Sequence, residues 1–276
     1  MKLPFRNRYL LAPMLEPNDI AFRLLCKKAG CGLTYTGMIN PLSKKKLDLQ
    51  DKPGLQLFCN STAGLKEFMK KYDKKVSLWD FNLGCPSDLS RKFKHGVFMH
   101  KDLEGIEKIL KVIRENTKKP VTIKLRKSAH ALEIARLAEN YVDALTIHPR
   151  TEKQGYSGKP DVDFALKLKE EVSVPVIYSG DVNEGNADNL LEKFDFVMVG
   201  RAAIGNPGIF SELKGKKRKM VGFLDYLKLA EKYKLPWKIV KMQAMNFTKS
   251  MKNAKELRRK LVYVKNVEEV RQIFNN

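Results

Sequence analysis

Polar or glycine-bearing positions end six short apolar runs of the chain. Gln56 lies in LQLF, Asn82 in SLWDFNL and Lys124 in VTIKL; His148 closes ALTIH, Ser179-Gly180-Asp181 follows VIY, and Gly200-Arg201 follows FVMV. Taken singly, a lysine at such a place is solvated and a histidine is a satisfied core group. Six independent ends of this kind point instead to one shared polar site. An ammonium held at the mouth of a cavity needs a negative partner, so Lys124 together with His148 reads as a pair that stabilises an anion. Gln56 adds both a donor and an acceptor. The glycines of the last two turns let backbone amides approach a phosphate, with a short helix expected to begin near Asn206. A reduced flavin is one electron-rich ring that would satisfy these cations; the residues ask for an anion and do not name it.

Cys85, in FNLGCPSD, is the candidate reactive thiol because it follows an apolar run on the same side as the lysine and histidine. Cys26 and Cys31 fit small buried side chains better, and Cys59 is open to either reading. The four cysteines form no C-x-x-C pair and do not cluster with the four histidines at zinc spacing, so no metal is expected.

The elements that must position these residues are eight apolar runs, read as strands over 9–14, 33–36, 55–58, 77–83, 121–125, 144–148, 176–179 and 196–199. Amphipathic helices separate most of them. One starts near Asn18 with Phe22, Leu25 and Ala29 on a stripe and Gly30 as its stop. A second is capped by Asp102 and buries Leu103, Ile106, Leu110 and Ile113. A third carries Ala187, Leu190, Leu191 and Phe194. Strand–helix repetition of this length predicts an α/β fold, a (β/α)8 TIM barrel over residues 1–213. An open doubly wound sheet is the weaker reading, since APMLEP rather than a G-x-G-x-x-G follows the first strand. Beyond Leu213 the pattern changes. GKKRKMVG reads as a linker, and helical patterns near 223–233, 237–251, 254–262 and 267–274 predict a small C-terminal helical domain over residues 214–276.

The chain has 276 residues, 43% of them hydrophobic, which excludes a wholly disordered chain, and its longest apolar runs are too short to span a membrane. Residues 1–8 lack the apolar run of a secretory signal, so a cytoplasmic location is expected. The formal net charge is +22, and residues 211–276 hold 18 Lys and Arg against six Asp and Glu, a net +12. More than half the excess therefore lies in under a quarter of the length. That concentration favours a polyanion partner, and nucleic acid over membrane because no amphipathic Trp/Leu anchor accompanies it.

In order along the chain, APM at 12–14, LQLF at 55–58, NLGCP at 82–86, KLR at 124–126, HPRT with QGYSG across 148–158, SGD at 179–181 and GRAAIGNPGIF at 200–210 resemble the tRNA-dihydrouridine synthases. The resemblance implies FMN as prosthetic group, NADPH or NADH as transient reductant and a uridine of folded tRNA as substrate. Carried over by motif, Met14, Gln56, Lys124, His148, Ser179, Gly180, Asp181, Gly200 and Arg201 would hold FMN. Asn82, Arg126 and Tyr156 would orient the uracil, and Cys85 would be the general acid. The basic helical tail would correspond to the family's tRNA-binding domain. Neither DNA nor membrane is an expected partner, and a monomer is the expected state. Two positions depart from the family pattern. Gly37 precedes Met38 where Glu is usual, and Asp88 stands three residues after the cysteine where Lys is usual, leaving Lys92 or Lys94 as its replacement. Two other functions compete: a small-molecule FMN-dependent reductase of a pyrimidine or enone, and an RNA-binding relative without catalysis. The charged tail disfavours the first, and retention of Cys85, Lys124 and His148 the second.

Overall fold

Residues 2–215 and 221–275 are described by the structure, a computed structural model. Eight parallel strands, β1 (Tyr9–Leu11), β2 (Tyr35–Ile39), β3 (Gly54–Leu57), β4 (Leu78–Leu83), β5 (Val121–Arg126), β6 (Ala144–His148), β7 (Val176–Tyr178) and β8 (Phe196–Val199), pair in the order β1-β8-β7-β6-β5-β4-β3-β2. A parallel bridge between Leu10 and Leu33, with the Leu11 N–H donating to Leu33 O at 2.9 Å, brings the sheet's two ends together. The sheet is thus a nearly closed barrel and not an open doubly wound array.

The helices are α1 (Ile20–Lys28), α2 (Leu65–Tyr72), α3 (Asp88–Lys92), α4 (Leu103–Glu115), α5 (Ala131–Ala138), α6 (Val162–Glu170), α7 (Ala187–Lys193), α8 (Ile209–Glu212), α9 (Phe223–Lys232), α10 (Trp237–Phe247), α11 (Ala254–Tyr263) and α12 (Val267–Asn275). Asp19 caps α1 by accepting from the Phe22 N–H, and Asp102 caps α4 by accepting from the Gly105 N–H, each at 2.9 Å. Three expectations are corrected. The second strand begins two residues later than 33–36 and runs on to Ile39, because Leu33 is taken up by the closing bridge and the ladder shifts register between Tyr35 and Met38. The first strand is shorter than 9–14 and ends at Leu11; β2 is followed by a loop over residues 40–53, since PLSKKK offers no apolar stripe. Buried Arg23 fastens that loop to α1 through Asp51 and the carbonyl of Asp48.

Strand parity decides which side chains meet. Because alternate residues face opposite ways, Leu10, Leu33, Leu78, Ala144, Ile177 and Met198 fill the lower barrel, while Leu55, Trp79, Phe81, Ile123, Leu145, Ile147 and Val197 pack outward under the helices. The same inward parity continues upward to Gln56, Asn82, Lys124, His148, Ser179 and Gly200.

The last four helices pack on one another, and α9 among them lies against the barrel's α1. Phe223 anchors them, with ring centroids 5.8 Å from Phe247 and 4.2 Å from Phe274, joining α9, α10 and α12. Burial of such a ring contributes about 2 kcal/mol. Gln243 Nε2 donates to Asp19 Oδ2 at 2.7 Å, tying α10 to the cap of α1. The third tail helix begins as expected, whereas α10 stops at Phe247 and tightens into a 3-10 turn over Thr248–Ser250 instead of continuing to Met251. Lys216–Met220 of the expected linker lie outside the described residues. No helix among the described residues is long and apolar enough to cross a membrane.

Candidate active site

Two adjoining cavities of about 280 Å³ and about 460 Å³ open at the C-terminal mouth of the barrel. Met14, Lys124, His148, Tyr156 and Arg201 line both. Ser179, Gly180, Asp181 and Gly200 line the smaller, and Gln56, Asn82, Cys85 and Arg126 the larger. Every residue that the resemblance assigned to the cofactor, the uracil or the acid role therefore lines one of these two cavities.

Lys124 projects into this site with no hydrogen bond or ion pair to any described residue. Burial, with Arg126 assisting and Asp80 opposing, pulls its pKa down to about 8. His148 is pushed far below the ordinary imidazole range, first by burial and then by Lys124, Arg126, Arg150 and Arg201. Arg150 Nη1 lies 3.3 Å from His148 Nε2, and a guanidinium can only donate. Nε2 must therefore accept, leaving Nδ1 to carry the proton of a neutral ring. The histidine is a neutral donor here rather than a second cation.

Beneath Lys124 lies a carboxylate that strand-end reasoning missed. Asp80 accepts from Thr122 Oγ1 and from Gln56 Nε2, both at 2.6 Å, and burial raises its pKa to about 6. With Gln56 Nε2 held downward, its Oε1 accepts from Asn82 Nδ2 at 2.7 Å. Asn82 Oδ1 then accepts from the backbone N–H groups of Gly84 and Cys85, at 3.1 and 3.0 Å. A single chain thus runs from the barrel interior to the backbone of Cys85. The alternation of WDFNL carried this signal, since Asp80 shares parity with Asn82.

Arg150 was also missed, although it stands in the HPRT motif two residues beyond His148. It is buried, donates to the carbonyls of Ser157 and Gly158, and shares the Asp181 carboxylate with Arg201. Burial raises the pKa of Asp181, but these two arginines outweigh it and hold the carboxyl below its usual range. Arg126 similarly donates to the carbonyls of Gly84, Thr151 and Gly155 at 2.8–3.1 Å, so it braces the Cys85 loop against the loop carrying Tyr156. The Tyr156 ring is 61% exposed and lies 5.0 Å from the Arg201 guanidinium carbon and 6.2 Å from the His148 ring.

At the last two turns, the N–H groups of Gly180, Asp181, Gly200, Arg201 and Ala202 donate to no acceptor among the described residues. The helix expected near Asn206 is corrected: a 3-10 turn over Arg201–Ala203 comes first, and α8 starts only at Ile209. These free donors and the unpartnered ammonium of Lys124 fit a phosphorylated, electron-rich cofactor.

Cys85 is the half-buried thiol of the chain; Cys26, Cys31 and Cys59 are buried. Its Sγ lies 3.3 Å from Ser87 Oγ. Neither Lys92 nor Lys94 replaces the usual lysine inside the site: both are exposed and line neither cavity. Gly37, the other departure, is explained by crowding. A Cβ there would lie 2.8 Å from Met14 O and 3.0 Å from Asn18 Nδ2, so the Asn18 amide fills the space a larger residue would need.

The family model for dihydrouridine synthases matches residues 10–276. The chain belongs to the dihydrouridine synthase family. Among curated relatives, it is 31% identical to tRNA-dihydrouridine synthase B of Klebsiella pneumoniae over 76% of this chain and 72% of that one. It is 29% identical to a probable tRNA-dihydrouridine synthase of Aquifex aeolicus over 96% and 94% of the two chains. This family membership makes the protein an oxidoreductase of the tRNA-modifying kind. Among solved structures, a morphinone reductase variant in complex with tetrahydroNAD superposes with a TM-score of 0.50 at 14% identity, over 80% of this chain and 90% of that one. A mandelate oxidase with (S)-2-phenylpropionate also gives 0.50, at 16% identity over 75% and 69%. These two share the barrel fold.

Proposed function

We propose that this dihydrouridine synthase reduces a uridine of tRNA to 5,6-dihydrouridine with FMN as its prosthetic group and NADPH as its reductant. The observation that carries the reading is the single site shared by Cys85, Lys124 and the free amides of the last two turns. Residues 1–213 are assigned to catalysis and 214–276 to tRNA docking.

Lys124, Gln56 and the neutral His148 would face the polar edge of the flavin, and Met14 would pack against it. Ser179, Gly180, Gly200 and Arg201 would take its phosphate, with Asp181 contributing its N–H while its carboxylate orients Arg201. When bound, FMN supplies the hydride that adds to carbon 6 of the uracil. Asn82 and Tyr156 would orient that ring, with Arg126 holding the two loops that frame it. Cys85 Sγ–H would give its proton to carbon 5, completing addition of two hydrogens across the double bond. The neighbouring Ser87 hydroxyl connects the sulfur to solvent for reprotonation. Since the target carbon is inaccessible within folded RNA, the base must be turned out into the mouth.

Two experiments test this reading. The purified protein is expected to be yellow or to become so with FMN. Mapping dihydrouridine in tRNA from cells with and without the gene is expected to show at least one position losing the modification. A protein that takes up no flavin, or an unchanged map, would overturn it.

A further inference from the structure

We propose that α3, together with Phe93 at its end, is an RNA-stacking surface for the nucleotides that flank the target uridine in tRNA; this rests on the proposed function and adds a contact outside the cavity. Residues 85–96 make a closed excursion from the barrel mouth. The Val97 N–H donates to Cys85 O at 3.3 Å, and Gly96, at φ +60°, lies so close that a Cβ would sit 2.6 Å from the same oxygen. The excursion therefore begins and ends at the reactive cysteine, and its tip has a set position relative to that thiol.

Ser87 caps α3 by accepting from the Ser90 N–H at 3.2 Å, and Arg91 Nη2 reaches Glu152 Oε1 at 2.6 Å, on the loop that carries Tyr156. On this braced tip, Leu89 and Phe93, four residues apart, are 54% and 48% exposed. Such spacing places both on one side of a helical turn. The Phe93 ring is fixed from behind, stacked on His95 at 6.0 Å, and its carbonyl accepts from Asn60 Nδ2 at 2.9 Å. The ring has a lysine on either side of it in the chain. Lys92 Nζ lies 5.6 Å from the ring, Lys92 and Lys94 make no ion pair with any described residue, and Asp88 is the one acidic residue between Cys85 and Gly96.

A rigid apolar pair inside a positive rim complements a nucleic acid, whose bases offer apolar faces between phosphates. The need is created by the reaction itself: turning a uridine out of its stack bares the faces of its neighbours. Leu89 and Phe93 cover those faces beside the mouth, and Lys92 and Lys94 meet the adjoining phosphates.

The test uses the full FMN-loaded chain and, as probe, tRNA purified from cells lacking the gene. In the double variant Leu89→Ala, Phe93→Ala the tRNA dissociation constant is expected to rise about tenfold, with FMN content and NADPH oxidation in the absence of tRNA unchanged. Phe93→Tyr should bind as the native chain does. In Phe93→Trp, tRNA should quench the added indole emission beyond any quench of the native protein, a signature that a merely structural role for Phe93 would not produce. Binding by the double variant within about twofold of native, or no added quench, would overturn the surface. A native enzyme that forms no dihydrouridine would overturn the functional reading instead, while binding and quenching would still decide this one.

Discussion

The barrel mouth and the helical tail are both cationic, yet they hold their charge in opposite ways. At the mouth, Arg126 and Arg150 are buried and spend their donors on backbone carbonyls and, for Arg150, on the Asp181 carboxylate, and Lys124 is left desolvated with no partner among the described residues. In α11, Arg258 and Arg259 stand exposed, and Leu261 is the one buried residue of the helix. Desolvated charge is costly unless a ligand compensates it, so it selects a particular anion in a particular pose. Solvated charge is screened and tolerant, which suits long-range attraction and docking of a polyanion. In the proposed function the first region is assigned to chemistry and the second to reach.

The sharpest way to break this contrast is at the thiol. Cys85→Ala should lower dihydrouridine formation by about 10²–10⁴-fold, the usual contribution of a positioned acid, while FMN and tRNA affinities hold. Unaltered product yield, measured by mass spectrometry of digested tRNA, would remove the acid role.

Lys124 comes next. In the free protein its ammonium loses its proton near pH 8 because burial disfavours the charge, whereas a bound anion favours the charged form. FMN affinity should therefore be full below about pH 8 and fall by up to about tenfold per pH unit above it. Lys124→Met should weaken binding at neutral pH and flatten this dependence, as read by flavin fluorescence titration. A slope that survives the substitution would show that another group carries it.

Asp80→Asn tests whether the buried chain positions the cysteine. An amide at 80 can donate where the carboxylate only accepted, so Gln56 is expected to turn over and Asn82 to lose its hold on the Cys85 backbone. Turnover should fall about tenfold, with the tRNA dissociation constant unchanged. A rise in that constant with turnover intact would count against the positioning role.

The smallest effect belongs to the tail. Arg258→Glu with Arg259→Glu should weaken tRNA binding and reduce the slope of affinity against salt by about 2, with FMN binding untouched. An unchanged slope would take α11 out of the docking surface.

Much of the mouth was legible because strand parity is a strict rule. Gln56, Asn82, Lys124, His148 and Gly200 share inward parity, and each interrupts an apolar run, so the sequence shows both the strand and its polar end. Asp80 obeyed the same rule but lay one step lower, where apolar packing was expected. Arg150 lay beyond a strand end, and its partners, the carbonyls of Ser157 and Gly158 and the carboxylate of Asp181, are brought to it by loop closure that no local pattern encodes. The neutral state of His148 was hidden for the same reason, since it follows first from burial and then from a lysine and three arginines converging in space. In the tail, helical periods gave element positions, but the Gln243–Asp19 contact that fixes the tail on α1 joins residues far apart in the chain. The second strand was misplaced because a single closing bridge at Leu33 resembles a ladder in sequence.

The most direct test is incubation of the purified, FMN-loaded protein with NADPH and tRNA lacking dihydrouridine, followed by intact and digested mass analysis. A gain of two hydrogen atoms at a defined uridine, absent with Cys85→Ala, is the predicted result. A protein that binds FMN and tRNA and yet leaves every uridine unchanged would contradict the account.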